Sequence, residues 1–263
     1  MATGKSKTIL ITGAASGFGR GVALGLARNG HRVIAGCQIW PQVWELRQTA
    51  EAWGLKLEVI KLDVLNPIDR THAFSLDAEI DVLFNNAGIM ESGPMVEIPM
   101  EVVRSVFETN VFAALELAQG FARKMVQRGS GRIVWTSSVA GLVKVPFDGA
   151  YAASKHAVEG ICATMHEELK PYGVEVVTVA PGAFRTGFND TGMEAMDQWW
   201  GQGERVVDHW PIRELSAQHD PAEMIAAMID VIEADNPPYR TVRPALAEDM
   251  VKREQQEIWE RRV

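Results

Sequence analysis

The stretch "TILITGAASGFG", residues 8–19, runs a short apolar strand into three glycines, at 13, 17 and 19, and on into a helix-like pattern from 17 to 29. Glycine lets the backbone turn tightly and approach a ligand closely, and the free N–H groups at a helix start favour an anion. Strand, glycine turn and helix start together predict a cradle for a dinucleotide pyrophosphate. The spacing here is G-x-x-x-G-x-G and not the G-x-G-x-x-G fingerprint, so on this stretch alone an ordinary glycine-rich turn stays open.

Outward from that stretch the same rhythm repeats. "RVIAG" (32–36), "LEVIK" (57–61), "DVLFN" (81–85), "GRIVWTSS" (131–138) and "VEVVTVA" (174–180) have strand length and β-branched content. Helical patterns occupy roughly 17–29, 41–53, 67–78, 100–127, 151–171 and 221–234. Alternating strands and helices predict an α/β fold, a Rossmann-like doubly wound sheet, mainly parallel, with helices on both faces. Nothing marks a domain boundary, so residues 1–263 are expected to form one domain. In such a sheet the ligand crevice lies beyond the carboxyl ends of the strands. That geometry gathers "LDV" (62–64), "NNAG" (85–88), "SS" (137–138) and "PG" (181–182) onto one site.

Composition narrows the function classes. A formal charge of −8 and a pI near 5.3 argue against a nucleic-acid partner, which would need clustered Lys and Arg. Two cysteines, Cys37 and Cys162, provide neither a disulfide framework nor a C-x-x-C metal pair. The N-terminus lacks the long apolar core of a signal peptide or membrane span. A soluble, cytoplasmic protein without a metal is the expectation, with no membrane association.

"YAASK", residues 151–155, sets a phenol and an ammonium four residues apart, on one helical face. Oxidising an alcohol needs a base for the hydroxyl proton, and a phenol of ordinary pKa about 10 is mostly protonated near neutrality. A lysine one turn away favours the phenolate, so Lys155 is expected to lower the pKa of Tyr151. In an arbitrary helix this pair would be a surface contact; the surrounding motifs decide otherwise. The other histidines, His156 included, show no metal-ligand or triad spacing, and Glu167 with Glu168 reads as a solvated helix face.

Taken together, "TGAASGFG", "NNAG", Asn110 within "ETNVFA", Ser138 and "YAASK" resemble the short-chain dehydrogenase/reductase family in order and spacing, from about residue 8 to about 190. The resemblance implies hydride transfer between a nicotinamide and an alcohol or carbonyl carbon, with a catalytic tetrad of Asn110, Ser138, Tyr151 and Lys155. In it Ser138 orients the reacting oxygen, Lys155 also binds the nicotinamide ribose, and Asn110 holds a water in the proton path. Ser138 is preferred to Ser137 because the family pattern puts the active serine second in the pair, and neighbours on a strand point to opposite sides.

Cofactor contacts are expected from Gly13, Ser16, Gly17, Phe18 and Gly19 in the first turn, and from Asn86, Ala87 and Gly88 after the fourth strand. Pro181, Gly182 and Thr186, with Tyr151 and Lys155, are expected near the nicotinamide. Asp63 and Val64 are expected at the adenine. An acid at the end of the second strand would select NAD and an arginine NADP. Cys37 and Gln38 stand there instead, beside a neutral Ser16, so the cofactor is NAD or NADP without a preference.

Residues 187–216 lose the strand–helix rhythm and carry Met193, Met196, Trp199, Trp200 and Trp210 with glycines at 201 and 203, which suggests a mobile lid and an apolar or ring-containing substrate. The expected activity is interconversion of a small-molecule secondary alcohol and ketone. The alternatives are a 3-oxoacyl-thioester ketoreductase and a non-catalytic dinucleotide-binding sensor or scaffold. Apolar helix surface at 100–127 and from 151, with the habit of relatives, predicts a homodimer or homotetramer. "LAEDMVKREQQEIWERRV" at the C-terminus predicts an amphipathic helix.

Overall fold

The computed structural model describes residues 6–200, 206–207 and 217–262. Seven strands form one sheet: β1 (Thr8–Ile11), β2 (Arg32–Cys37), β3 (Glu58–Lys61), β4 (Val82–Asn85), β5 (Gly131–Thr136), β6 (Val174–Pro181) and β7 (Arg240–Arg243). Their order is β3-β2-β1-β4-β5-β6-β7 and every pairing is parallel. The chain moves outward from β1 to β3, then restarts at β4 on the other side of β1. That reversal between β1 and β4 opens a crevice at their carboxyl ends.

Strand alternation divides the core in two. Ile9 and Ile11, Val33 and Ala35, Val82 and Phe84 enter one apolar cluster, while Leu10, Ile34, Leu83, Ile133 and Trp135 enter the other. The first face is covered by α1 (Gly17–Arg28), α2 (Trp40–Ala52) and α8 (Pro221–Glu233), through residues such as Val22, Leu46 and Met228. The second is covered by α3 (Pro67–Phe74), α5 (Ala114–Arg128) and α6 (Gly149–Leu169), through Ala73, Leu117, Phe121 and Val158. Both faces are dry, which is why the strands read as nearly continuous apolar runs.

Four features differ from the sequence reading. The pattern at 100–127 is not one helix: α4 (Met100–Phe107) passes through a π-helical turn, Glu108–Ala113, into α5. Widening to i→i+5 bonding inserts one residue without disturbing the apolar stripe, so the hydrophobic pattern does not register it. Second, "GRIVWTSS" leaves the sheet at Thr136, and Ser138 caps a 3-10 turn, Val139–Gly141. Third, β7 has the sequence RTVR, too short and polar to read as a strand; it is held by pairing to β6 at the sheet edge. Fourth, residues inside the expected lid form α7 (Phe188–Ala195) and a 3-10 turn, Met196–Gln198. The expected C-terminal helix is α9 (Ala245–Glu257). Trp210 and the glycines at 201 and 203 lie outside the described residues.

Candidate active site

A cleft of about 660 Å³ opens at the carboxyl ends of the strands, between the glycine turn after β1 and the segment leading into α7. A larger recess, about 1110 Å³, lies at the opposite edge against Lys7, His31 and Arg132. Size does not identify the site here: in that recess Lys7, His31, Arg132 and Glu233 are joined to one another or to backbone carbonyls, whereas the smaller cleft gathers the glycine turn with Ser138, Tyr151 and Lys155.

At one end of the cleft lies the glycine turn. Gly13 has φ +64°, and a Cβ there would meet the Ala87 Cα at 2.8 Å, so the β1 and β4 loops touch backbone to backbone. Two side chains fasten them. Thr12 Oγ1 accepts from the backbone N–H groups of Asn86 and Ala87, each at 3.0 Å, and Asn86 Nδ2 donates to the carbonyls of Thr12 and Gly13, each at 3.1 Å. Ser16 sits at the N-cap of α1 without a side-chain cap bond, and the first turn carries no acid. The leading amides of α1 therefore keep their donors for an anion. A neutral glycine turn, free helix-start amides and a cleft of this volume fit a dinucleotide.

At the other end, Tyr151 and Lys155 rise from the first turns of α6, both buried. Lys155 Nζ donates to the Thr136 carbonyl at 2.8 Å and stands 5.6 Å from the centre of the Tyr151 ring. Burial pushes the Lys155 ammonium down to about 8. Burial also pushes the Tyr151 phenol up to about 12, against a hydrogen bond with Ser138 that lowers it, while the charge of Asp148 raises it further. The expected lowering by Lys155 is therefore not what this site shows. Desolvation of the phenolate dominates, and the phenol holds its proton at neutral pH.

The Ser138 hydroxyl lies near enough to Tyr151 to favour its phenolate; Ser138 Oγ donates to the Pro181 carbonyl at 3.4 Å and accepts from the Ala140 N–H at 3.1 Å. Ser137 also borders the cleft, with its hydroxyl buried and unpartnered, so strand alternation does not separate the two serines beyond the end of β5. Asn110 lies in the π-helical turn. Its Oδ1 accepts from the Ile89 N–H at 2.8 Å, and its Nδ2 donates to the Ile89 carbonyl at 2.9 Å and to Ser154 Oγ at 3.0 Å. Both amide hydrogens are used, which leaves a single Oδ1 lone pair for any water.

The structure brings most of the expected cofactor residues to this cleft: Gly13, Ser16, Gly17, Phe18, Gln38, Asp63, Val64, Asn86, Ala87, Gly88, Pro181, Gly182 and Thr186 border it with Tyr151 and Lys155. Three candidates do not border it. Cys37 is fully buried in the first-face core and its thiol is pushed up to about 11 by that burial, because alternation along β2 turns it inward while Gln38 faces out. Gly19 lies beneath the turn, where a Cβ would strike the Gly13 carbonyl oxygen at 2.3 Å; it permits the helix to approach and touches no cleft. Asn110 acts from behind the 86–89 loop. The sequence reading missed Thr12, Thr136, Gln42 and Glu91. Thr12 and Thr136 were visible inside quoted stretches, and Gln42 and Glu91 carry no local signal.

The profile described as short chain dehydrogenase matches residues 7–197. The chain is 32% identical over 244 residues to 3-ketodihydrosphingosine reductase of Bacteroides thetaiotaomicron, covering 89% of this chain and 86% of that protein. It is 31% identical over 249 residues to Homo sapiens retinol dehydrogenase 8, covering 89% and 80%. A short-chain dehydrogenase from Sphingobium yanoikuyae, solved in complex with NADPH, aligns with a TM-score of 0.75 at 26% identity over 98% of this chain and 96% of that one. The chain belongs to the short-chain dehydrogenase/reductase family and is an NAD(P)-dependent oxidoreductase. Among the described residues no helix is long and apolar enough to cross a membrane.

Proposed function

We propose that this protein interconverts a secondary alcohol and a ketone on an apolar small molecule, with Tyr151, Ser138, Lys155 and Asn110 as the working residues. The observation that carries the reading is the contact between the Tyr151 and Ser138 hydroxyls beside the buried Lys155, in the cleft whose other end holds the uncapped start of α1. The nicotinamide cofactor supplies the hydride acceptor or donor.

Tyr151, protonated at neutral pH, gives its proton to the ketone oxygen as the alcohol forms, and takes it back in the reverse direction. Ser138 donates a hydrogen bond to the same oxygen and fixes its position. Lys155 keeps a positive charge beside the phenol, available to a phenolate as it develops, and holds the floor of the cleft through Thr136. Asn110 secures the loop that carries Gly88 and Ile89.

The backbone of Gly13, Ser16, Gly17 and Phe18 would hold the pyrophosphate, Asp63 and Val64 the adenine, and Ala87, Gly88, Pro181, Gly182 and Thr186 the nicotinamide side. Gln38 offers a 2′-group neither an acid nor an arginine, so use of both NAD and NADP belongs to the proposal. Met90, Phe188 and the Tyr151 ring pack together at the substrate side, which supports an apolar substrate. We assign residues 1–263 to one domain with a substrate lid at about 187–216; among its described residues Trp199 packs on Gly93. A homodimer or homotetramer is supported by exposed Phe112 and Leu246, and a reducing cytoplasm by two buried, unpaired cysteines.

The test is absorbance of the reduced nicotinamide with a panel of aromatic, alicyclic and aliphatic ketones and alcohols, under each cofactor. Turnover that vanishes in Tyr151→Phe supports the reading. Turnover that survives the substitution, or no cofactor binding at all, overturns it.

A further inference from the structure

Glu91 lies in the loop after β4, at the substrate side of the cleft. The loop is fixed on both sides of it. Ile89 is clamped by Asn110, the Ser92 N–H donates to the Gly192 carbonyl at 3.1 Å, and the Gly93 N–H donates to the Phe147 carbonyl at 2.6 Å. Held in this frame, the Glu91 carboxyl has a buried Oε2 without any hydrogen-bond partner among the described residues. An ionised carboxylate only accepts hydrogen bonds, and burying one without a donor is costly. Burial accordingly pushes its pKa up. A carboxyl group kept there without a protein partner awaits a donor from the ligand.

The surrounding charge says which donor. Asp148, packed against the same loop outside the cleft lining, accepts from Ser92 Oγ at 2.6 Å, and its charge reaches Tyr151. Lys155 is the sole cation bordering the cleft among the described residues, and its ammonium is directed to the Thr136 carbonyl. One unpartnered carboxyl in the lining with a second just behind its loop, and the cation committed elsewhere, attract a positive donor more strongly than a neutral one. The adjoining wall of Met90, Phe188 and the Tyr151 ring is apolar.

We propose that Glu91 is a specificity-determining residue that selects substrates carrying a protonated amine near the reacting carbon, amino alcohols or amino ketones with an apolar body. The inference rests on the alcohol–ketone reading of the same site and names its substrate class.

The test compares 2-amino-1-phenylethanol, 1-phenylethane-1,2-diol and 1-phenylethanol, as substrates with the oxidised cofactor and as ligands titrated calorimetrically into protein holding the reduced cofactor. In the wild type, kcat/KM and affinity are expected to favour the amine over 1-phenylethanol by about 10- to 100-fold, with the diol between, and the kinetic difference is expected mainly in KM. Glu91→Gln, close in shape, is expected to bring the amine and 1-phenylethanol to within about three-fold, and Glu91→Leu to reverse the order. A wild type that does not prefer the amine, or a preference that persists in Glu91→Gln, overturns the proposal. If no alcohol is oxidised, the alcohol–ketone reading fails while calorimetry still decides whether Glu91 selects the amine. The order amine, diol, 1-phenylethanol in the wild type needs no variant, so a misfolded substitution does not leave the question unanswered.

Discussion

The two ends of the sheet treat buried charge in opposite ways. At the amino edge, Lys7 Nζ donates to the carbonyls of Ile232 and Glu233, each at 2.9 Å, and Arg132 Nη1 donates to those of Val231, Ile232 and Ala234 at 2.8, 3.1 and 2.8 Å. Arg132 also meets Glu175 at 2.6 Å. These carbonyls lie at the end of α8, where the last helical acceptors lack intrahelical partners and a cation is favoured. His31 completes the arrangement, accepting from the Lys7 N–H at 3.1 Å and facing Glu233 at 3.0 Å. At the carboxyl edge, Lys155 is as buried as Arg132 but faces one carbonyl and no carboxylate partner, and Glu91 Oε2 faces none. The amino edge uses charge to close a structure. The carboxyl edge gives Lys155 a single carbonyl and leaves Glu91 Oε2 without a partner, which costs stability and leaves room for a ligand.

The contrast breaks most visibly at Tyr151. Tyr151→Phe is expected to lower kcat by about 10²- to 10⁴-fold while the melting temperature stays near that of the wild type, measured by nicotinamide absorbance and by calorimetry. Arg132→Met should do the reverse. Stripping three carbonyls and Glu175 of their partner is expected to remove about 3–5 kcal/mol of stability in urea titrations, while turnover per folded molecule is maintained. If Arg132→Met proves neutral, the amino edge is not the structural half of the comparison.

Lys155→Met sharpens the point, because activity and stability should move in opposite directions. Turnover is expected to be lost, yet stability at pH 7 should rise by about 1–3 kcal/mol, since a buried ammonium whose pKa is depressed opposes folding. The smallest effect is in pH. With Lys155 at about 8 in the folded protein and 10.5 as its ordinary value, the unfolded chain binds the extra proton between those limits. This group's contribution to stability therefore rises with pH across that window. Ketone reduction should instead fall as pH rises through about 8, where Lys155 loses its charge while Tyr151, at about 12, stays protonated. A pH–rate profile flat from 7 to 10 would remove Lys155 from that role.

Much of the fold and part of the site were legible along the chain. The strand–helix rhythm, the glycine turn and the four-residue spacing of Tyr151 and Lys155 are local patterns, and local patterns survive in a linear reading. Position in sequence also brought Gln38, Asp63, Gly88 and Thr186 to the right edge of the sheet, since parallel strands all end on one side. Facing was less accessible. Cys37 and Gln38 are neighbours, yet one is sealed in the core and the other borders the cleft, and only the register of β2 against β1 and β3 separates them. The π-helical turn at Asn110 kept the apolar stripe intact and so left no trace in periodicity.

The order of apolar runs, glycines and the tyrosine–lysine pair by itself determined the doubly wound sheet, the side on which its site lies and the dinucleotide chemistry. Tertiary structure alone decided the state of the groups in that site. Whether Tyr151 holds its proton, and whether Glu91 finds a partner, depends on how much water and which charges the surrounding segments leave beside them. Desolvation is a property of the enclosed volume, assembled from α6, the loop after β4 and the segment entering α7, and no single stretch of the chain contains it.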